Sequence, residues 1–298
     1  MLGAFLTTIC FSLSAIFANR SIRAVGLTRA NLGRLIFALL VLGLYAHTFG
    51  QGLSGAGLEW FLLSGVIGMG LGDLALFYAL PLLGSRLSIL ITQCLAAPIA
   101  ILAERLWLGT TLTLPQLTWG FVTLVGVAVA LMPSRAHPPR VPIRAAGFVF
   151  GLLSALGQGL GAVLTRKANA LATLAGENID GITAAYQRIA GGLLITVLYF
   201  AARALFQRNA APEVAHPIPF RSWLWVPANA FCGAVLGVSA YQWALATTPS
   251  GVVLPIVACT PLVVIPFSYW IENERPSPRS LLGGALAVAG CIALALTR

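Results

Sequence analysis

The 298-residue chain alternates long apolar stretches with short polar breaks along its whole length. Each stretch approaches the roughly 20 residues that a helix needs to cross a bilayer. The stretches lack the strict alternation of barrel strands, and a backbone in lipid must satisfy its own hydrogen bonds, so helices are predicted. The ten predicted spans are 2–20, 28–48, 58–82, 85–106, 113–133, 144–167, 180–206, 221–246, 250–271 and 278–297.

Part of this pattern occurs twice. At an offset of 165, the identical positions are Trp60, Gly68, Leu71, Gly72, Ala75, Ala79, Leu80 and Ser85, matching Trp225, Gly233, Leu236, Gly237, Ala240, Ala244, Leu245 and Ser250. The repeat predicts two five-helix halves, 1–133 and 142–298. Because five spans is an odd number, the second half must enter the membrane from the opposite side. The predicted fold is therefore an all-α integral membrane protein with ten transmembrane helices in two inverted repeats, an arrangement typical of transporters. A plain helical bundle built by duplication is the alternative.

Composition supports a membrane protein and limits the partners. Hydrophobic residues make up 58% and charged residues 9%, against roughly 25% charged in a soluble domain. The net charge of +10 would suggest nucleic acid in a soluble protein. Here the arginines lie mainly at the ends of apolar runs, so lipid headgroups are the expected anionic neighbours and no nucleic acid is expected. The five cysteines lie inside apolar segments without CxxC spacing, so neither a metal site nor a disulfide framework is indicated. No cofactor is implied.

Three ionisable residues within the spans are the main candidates for a functional site. An ionisable group deep in a span costs roughly 2.5–3.5 kcal/mol on insertion scales and tends to face a cavity or a partner. Asp73 lies about midway along the third span and is a candidate proton or cation site, or a substrate contact. Arg34 and Arg188 lie one and a half to two turns into their spans and could recognise an anionic group. The alternatives are a tie between helices for Asp73 and snorkelling or bridging for the arginines. We expect Asp73 to be neutral unless Arg34 or Arg188 reaches it.

Neutral polar and aromatic residues extend this set of candidates. Glutamines are found within four spans, and several aromatic residues could give a cavity wall an apolar body with a polar handle. Bridging between helices is the alternative for each glutamine, and ordinary packing is the alternative for each aromatic residue. These candidates for substrate binding or coupling are Tyr78, Gln93, Gln158, Tyr186, Gln187, Tyr241, Gln242 and Trp243.

The repeated positions resemble a known family. The second span of each half opens with Ala-x-x-x-Arg, the third ends near an Ala-Leu pair, and the fourth contains a proline. These residues are Ala30 and Arg34, Ala184 and Arg188, Ala79-Leu80, Ala244-Leu245, Pro98 and Pro261. With ten spans in two repeats, the chain resembles the EamA-type branch of the drug/metabolite transporter (DMT) superfamily. The resemblance implies a transporter that moves small metabolites through a central cavity between the halves.

One family motif is matched unevenly. The Gly-Glu-Arg turn that precedes the last span of a repeat is approximated in the second half by Asn273-Glu274-Arg275-Pro276. In the first half, Gly109-Thr110-Thr111-Leu112 stands in its place, which departs from the pattern. Because each motif is short, the repeat architecture carries most of the resemblance.

The predicted function is secondary-active transport of a small metabolite, amino-acid-like or otherwise polar or amphipathic, by alternating access. Export or exchange is expected, with protons as a candidate coupling ion. The chain has no Walker motif, so ATP is not expected to be the direct energy source. A monomer or weak homodimer in a bacterial inner membrane is expected. Gly70-Leu71-Gly72-Asp73 also matches the GxGD motif of intramembrane aspartyl proteases, which would need Asp180 as the second carboxylate. A scaffold or receptor without transport is the third possibility.

The charges at the span ends predict an orientation. One side of the predicted bundle carries twelve arginines, and the other carries four basic residues. The first group is Arg20, Arg23, Arg29, Arg86, Arg135, Arg140, Arg144, Arg203, Arg208, Arg221, Arg275 and Arg279, and the second is Arg105, Arg166, Lys167 and Arg298. The positive-inside rule then places both termini outside the cytoplasm. The resemblance implies the opposite, since ten-span members of that superfamily are usually drawn with cytoplasmic termini.

Overall fold

A computed structural model of the chain describes residues 1–132, 141–206, 219–265 and 277–297. Within these ranges every regular element is a helix, which confirms the predicted all-helical fold. The turn Asn273–Pro276 and the last residues of the ninth predicted span, 266–271, lie outside the described residues.

Ten helical segments follow one another in these ranges. They are α1 (Leu2–Val25), α2 (Leu27–Thr48), α3 (Leu58–Leu83), α4 (Ser85–Leu108), α5 (Leu114–Leu131), α6 (Ala145–Leu174), α7 (Gly181–Phe206), α8 (Phe220–Thr247), α9 (Ser250–Ile265) and α10 (Pro278–Leu296). Nine of them are long and apolar enough to cross a membrane, and α9 is a shorter apolar helix in the part of the chain that is described. The chain is a multi-pass integral membrane protein.

Two helices run further than the sequence predicts. α1 continues past residue 20 to Val25, and α6 continues past residue 167 to Leu174. Charged residues marked both predicted ends, but each charge finds a partner that lets the helix continue. The Arg20 guanidinium lies 4.6 Å from the centre of the Trp225 ring, and Arg166 forms an ion pair with Glu104.

A π-helical segment interrupts α3 and α8. The two segments, Gly65–Leu71 and Ala230–Gly237, begin 165 residues apart, at the offset of the sequence repeat. A π-helical turn accommodates extra residues through i→i+5 hydrogen bonds and is often found at functional sites. Asp73 follows directly after the first segment and its cap, Gly72.

Several of the contacts between helices follow the repeat. Replacing each helix in such a contact by its equivalent in the other half of the chain gives another observed contact. α1 packs against α8 and α9, and α6 packs in the same way against α3 and α4. Three further contacts, α2 with α7, α4 with α9 and α5 with α10, each join helices that are equivalent in the repeat. The division into two five-helix halves stays a prediction, and these paired contacts are the observation that supports it.

Small residues allow the helices to approach closely. Where α5 crosses α10, a Cβ added to Gly126 would lie 2.4 Å from the Ala287 nitrogen, and one added to Gly283 would lie 2.5 Å from the Ala130 nitrogen. In lipid, van der Waals contact of this kind is a main source of helix association. The largest buried apolar cluster includes Ala130 and Ala287 and extends to residues of α1, α4, α6, α8 and α9.

Met1 and Thr297, the first and last described residues, lie at the same end of the bundle. The Gln116 side chain donates a hydrogen bond to the Thr297 carbonyl at 3.2 Å, and a cleft of about 290 Å³ there is lined by both Met1 and Thr297. Because successive helices alternate in direction, the connections at 49–57, 109–113, 175–180 and 248–249 lie at this end too. We call it the terminus side.

Candidate functional site

An ion pair joins α2 to α3. The Arg34 Nη2 atom lies 3.7 Å from the Asp73 Oδ2 atom, and the two side chains are 22% and 29% exposed. The same Nη2 donates a 3.0 Å hydrogen bond to Asn31 Oδ1. Because 3.7 Å exceeds the usual length of an N–H···O hydrogen bond, about 2.9 Å, the pair is loosely closed. One of the two arginines named by the sequence therefore reaches Asp73.

Arg188 lies close to this pair but is more deeply buried. Its residue is 6% exposed, and it interacts electrostatically with Asp73. Its Nη1 donates to Thr165 Oγ1 at 3.3 Å, and its Cζ lies 5.3 Å from the centre of the Tyr241 ring. This distance is within the range of a cation–π contact. The Nε of Arg188 is buried and has no hydrogen-bond partner among the described residues.

A glycine makes room for the Arg188 guanidinium. A Cβ added to Gly68, in the π-helical segment of α3, would lie 2.8 Å from Arg188 Nη2. Helix α6 packs beside this segment. Ser64 Oγ of α3 bonds to Thr165 Oγ1 of α6 at 2.9 Å and donates to the Gly161 carbonyl of α6 at 2.7 Å. Residues of α2, α3, α6, α7 and α8 thus form a charged cluster inside membrane-spanning helices. We call Arg34, Asp73, Arg188 and Tyr241 the central cluster.

Four other candidates take no part in the contacts described above. Gln242, next to Tyr241, is fully buried, and neither amide atom has a partner among the described residues. Trp243 is 46% exposed. Gln93 and Gln158 are half-buried in α4 and α6.

Three candidates are engaged away from the central cluster. Gln187 Nε2 donates to the Gly52 and Ser54 carbonyls at 2.9 and 3.0 Å, so it fixes the α2–α3 connection. The Tyr186 hydroxyl lies 3.1 Å from His47 Nε2. The Tyr78 hydroxyl bonds to that of Tyr199 at 2.8 Å. These contacts are of the kinds named above as alternatives to substrate binding, which are bridging by a glutamine and packing of aromatic residues.

Sequence reasoning missed the most buried carboxylate among the described residues. Glu104 is 2% exposed, near the end of α4. Its Oε1 lies 3.0 Å from Arg166 Nε, while its Oε2 accepts hydrogen bonds from the Ser250 N–H, at 2.8 Å, and from the Ser250 hydroxyl. Arg166 also donates to the Leu245 carbonyl at 2.9 Å. Glu104 lies near the end of an apolar run, where a charge resembles an ordinary interfacial residue, and so its position in the sequence alone did not single it out.

The structure does not bring together the two aspartates that a GxGD protease would need. Asp180 caps α7, accepting from the Ile182 and Thr183 N–H groups at 2.8 and 3.0 Å. It lies beside Gly50, whereas Asp73 pairs with Arg34. Fourteen helical steps lead along α2 from Arg34 to Thr48, two residues before Gly50, which is about 21 Å at the helical rise of 1.5 Å per residue. A shared-proton dyad requires carboxylates in contact.

Comparisons with known proteins agree with the fold. No curated protein matches the sequence. Among solved structures, one titled only "Crystal structure of protein" is similar, with a TM-score of 0.74, 17% identity, and coverage of 99% of this chain and 95% of that one. At this identity the similarity concerns the fold alone. The model of the family described as "EamA-like transporter family" matches residues 1–132 and 145–296. The chain therefore belongs to the EamA-like transporter family.

Proposed function

We propose that this protein is a secondary-active transporter that moves a small polar or amphipathic metabolite by alternating access. The central cluster is the observation that carries this proposal. Ionisable groups within membrane-spanning helices are costly and typically mark a substrate or ion pathway. Arg34 and Asp73 belong to the first half of the chain, and Arg188 and Tyr241 belong to the second. A solute held among them would touch both halves, as a binding site at the interface of two repeats requires.

Contacts on the terminus side support alternating access. There the Ala56 N–H donates to Glu177 Oε2 at 2.8 Å, Gln187 holds the α2–α3 connection, and Glu104 joins α4 to α6 and α9. These bonds link the first half of the chain to the second. An opening toward this side requires that some of them break, whereas Arg34 and Asp73 are partly exposed.

We further propose export or exchange across a bacterial inner membrane, with protons as the coupling ion at Asp73. The repeat position equivalent to Asp73 is Val238, so the carboxylate is present in one half only. A single titratable group near the interface suits a coupling role. An amino-acid-like solute is one class that the mixed charges of the cluster could hold.

Flux into proteoliposomes, with a panel of labelled metabolites and an imposed pH gradient, tests this proposal. The wild-type protein should move at least one solute faster with the gradient than without it. Asp73→Asn keeps the volume but removes the titratable carboxylate, so it should stay folded, bind the solute and lose the gradient-driven component.

Glu59→Gln is the matched control, because Glu59 is an exposed carboxylate at the start of the same helix, and it should retain wild-type flux. Wild-type dependence on pH in Asp73→Asn would contradict coupling through this residue. Folded protein that moves none of the solutes would favour a scaffold or receptor.

A further inference from the structure

We propose that Arg188, together with Arg34, binds the carboxylate group of a monocarboxylate solute, with Asp73 as its internal competitor. The proposal rests on the transport function above and names the chemical class of its substrate. Asp73 pairs with Arg34 at 3.7 Å and interacts electrostatically with Arg188, so the two guanidinium groups and the carboxylate of the central cluster carry a formal charge of +1. Burying a charge without compensation is costly, so an occupied site with one further anion is favoured.

The hydrogen bonding of Arg188 leaves a donor free for such an anion. Within the described residues, its guanidinium has no carboxylate oxygen within the 4.0 Å of an ion pair; the pairs found there are Arg34 with Asp73 and Arg166 with Glu104. A guanidinium has five N–H donors; one bonds to Thr165 Oγ1 at 3.3 Å, and the guanidinium also has a hydrogen-bonding contact with the Tyr241 side chain. Its Nε is buried without a partner in the same part of the chain. Burial of an unmatched donor on a charged group marks a position that a ligand oxygen would satisfy.

Arg34 offers a second donor of the same kind. Its Nε is also buried without a partner among the described residues, although its Nη2 contacts both Asn31 and Asp73. Both guanidinium groups interact electrostatically with Asp73. A carboxylate bound between Arg34 and Arg188 would therefore satisfy two guanidinium groups, each with an unused Nε. A carboxylate accepts two parallel N–H bonds from a guanidinium fork, which gives this contact its strength and orientation.

The surroundings favour a monocarboxylate with an apolar body. One carboxylate brings the formal charge of the cluster to zero, whereas a phosphate dianion would reverse it. The Tyr241 ring lies under Arg188 and packs against the Phe11 ring, with centroids 6.5 Å apart. These rings provide apolar surface beside the guanidinium. Benzoate has a single carboxylate and an apolar ring, and benzamide is its neutral analogue of similar shape.

Asp73 has the properties of a competitor that a ligand can displace. Its contact with Arg34 is 3.7 Å long, and its side chain is 29% exposed. A ligand carboxylate and Asp73 would compete for the same two guanidinium groups, which interact with the Asp73 carboxylate when no ligand is bound. Removal of the Asp73 charge should therefore strengthen the binding of an anion, while it leaves a neutral analogue unaffected.

Equilibrium dialysis of labelled benzoate against the full-length protein in detergent tests this inference, with protein-free micelles as background. Wild-type protein should bind benzoate, and neither benzamide nor inorganic phosphate at equal concentration should displace it. Arg188→Gln should weaken binding by at least about tenfold, as expected for the loss of a charge-assisted bond. Asp73→Asn should strengthen it several-fold. Arg105→Gln, which removes a guanidinium from an exposed position of α4, should bind as the wild type does.

Several results would overturn the inference: no binding of benzoate to the wild type, equal binding by folded Arg188→Gln, displacement by benzamide or phosphate, or no gain in Asp73→Asn. If Arg188→Gln does not fold, Arg188→Lys keeps the charge without the fork and should still bind more weakly, and the Asp73→Asn comparison is independent of both.

Flux without Arg188-dependent benzoate binding would reject the monocarboxylate class and keep the transport function. Arg188-dependent binding without flux of any solute would reject transport and keep the site.

Discussion

Glu104 and Asp73 are both carboxylates in membrane-spanning helices, but their partners give them different roles. Glu104 is 2% exposed and accepts three polar contacts, from Arg166 and from the Ser250 N–H and hydroxyl. Asp73 keeps 29% exposure and one loose ion pair. A fully satisfied buried charge holds helices in place, because any movement leaves it unpaired. A loosely paired and accessible charge can exchange its partner for a ligand.

The role of Glu104 predicts a loss of stability on Glu104→Gln. The change leaves Arg166, whose side chain is 20% exposed, without its counter-charge. Removing one member of a buried ion pair costs roughly 3–5 kcal/mol, and the partial exposure of Arg166 places the expected loss at the lower end, about 3 kcal/mol. Thermal unfolding in detergent should show a melting temperature lower by several degrees. Glu59→Gln, at an exposed carboxylate, should leave it nearly unchanged. An equal melting temperature for Glu104→Gln and wild type would contradict a structural role for this pair.

At the scale of elements, the crossing of α5 and α10 depends on the position of each glycine. Gly283 and Gly284 are neighbours in α10, but they face different surroundings. A Cβ on Gly283 would lie 2.5 Å from the Ala130 nitrogen and 2.6 Å from the Gly126 carbonyl oxygen, whereas a Cβ on Gly284 would have no atom within 4 Å. Backbone atoms cannot give way as a flexible side chain can.

Adjacent alanine substitutions therefore have opposite expected effects. Gly283→Ala overpacks the crossing and should destabilise the protein by about 1–3 kcal/mol. Gly284→Ala adds a methyl group in open space and removes a glycine from a helix, so it should be neutral or stabilising by up to about 1 kcal/mol. Thermal unfolding of both variants in the same detergent measures the difference. A Gly283→Ala protein as stable as Gly284→Ala would show that α5 and α10 are not in backbone contact.

The helices could be predicted from the sequence because their length and polarity are set by the membrane. Most predicted spans start and end within a few residues of the observed helices, and the exceptions, α1 and α6, continue where Arg20 and Arg166 find partners. The π-helical segments could not be predicted from the glycines alone. They depend on neighbours such as α7, whose Arg188 carbonyl lies where a Cβ on Gly65 would be.

The site was predictable in its residue types but not in its pairing. The rule that ionisable groups in a span need a partner identified Asp73, Arg34 and Arg188. It could not distinguish which arginine is closer, because that depends on the rotation of α2 and α7 about their axes. The same limit applies to Gln187, which contacts the α2–α3 connection, although its neighbour Arg188 belongs to the central cluster.

Over the bundle as a whole, the central cluster and the terminus-side bonds correspond to two parts of the proposed transport cycle, binding and closure. Arg34 and Asp73 are partly exposed, while Gln187, Glu104 and Glu177 are bonded at the terminus side. In the proposed alternating-access cycle, the membrane face at which the terminus side lies decides whether these bonds close the opening to the cytoplasm or the opening to the exterior. The orientation of the chain is therefore a functional question as well as a topological one.

The charge distribution predicts that the terminus side is outside the cytoplasm. Described arginines at the opposite end of the bundle include Arg86, Arg144 and Arg279, whereas the acidic residues Glu59, Glu177 and Asp180 lie near the terminus side. Lys and Arg near span ends are retained in the cytoplasm, which favours this orientation over the one that the superfamily resemblance implies. A C-terminal green fluorescent protein should consequently stay dark, and a C-terminal alkaline phosphatase should be active. The same reporters fused after residue 206, at the end of α7, should give the reverse result and control for expression. Fluorescence from the C-terminal fusion would contradict this orientation and place the terminus side in the cytoplasm.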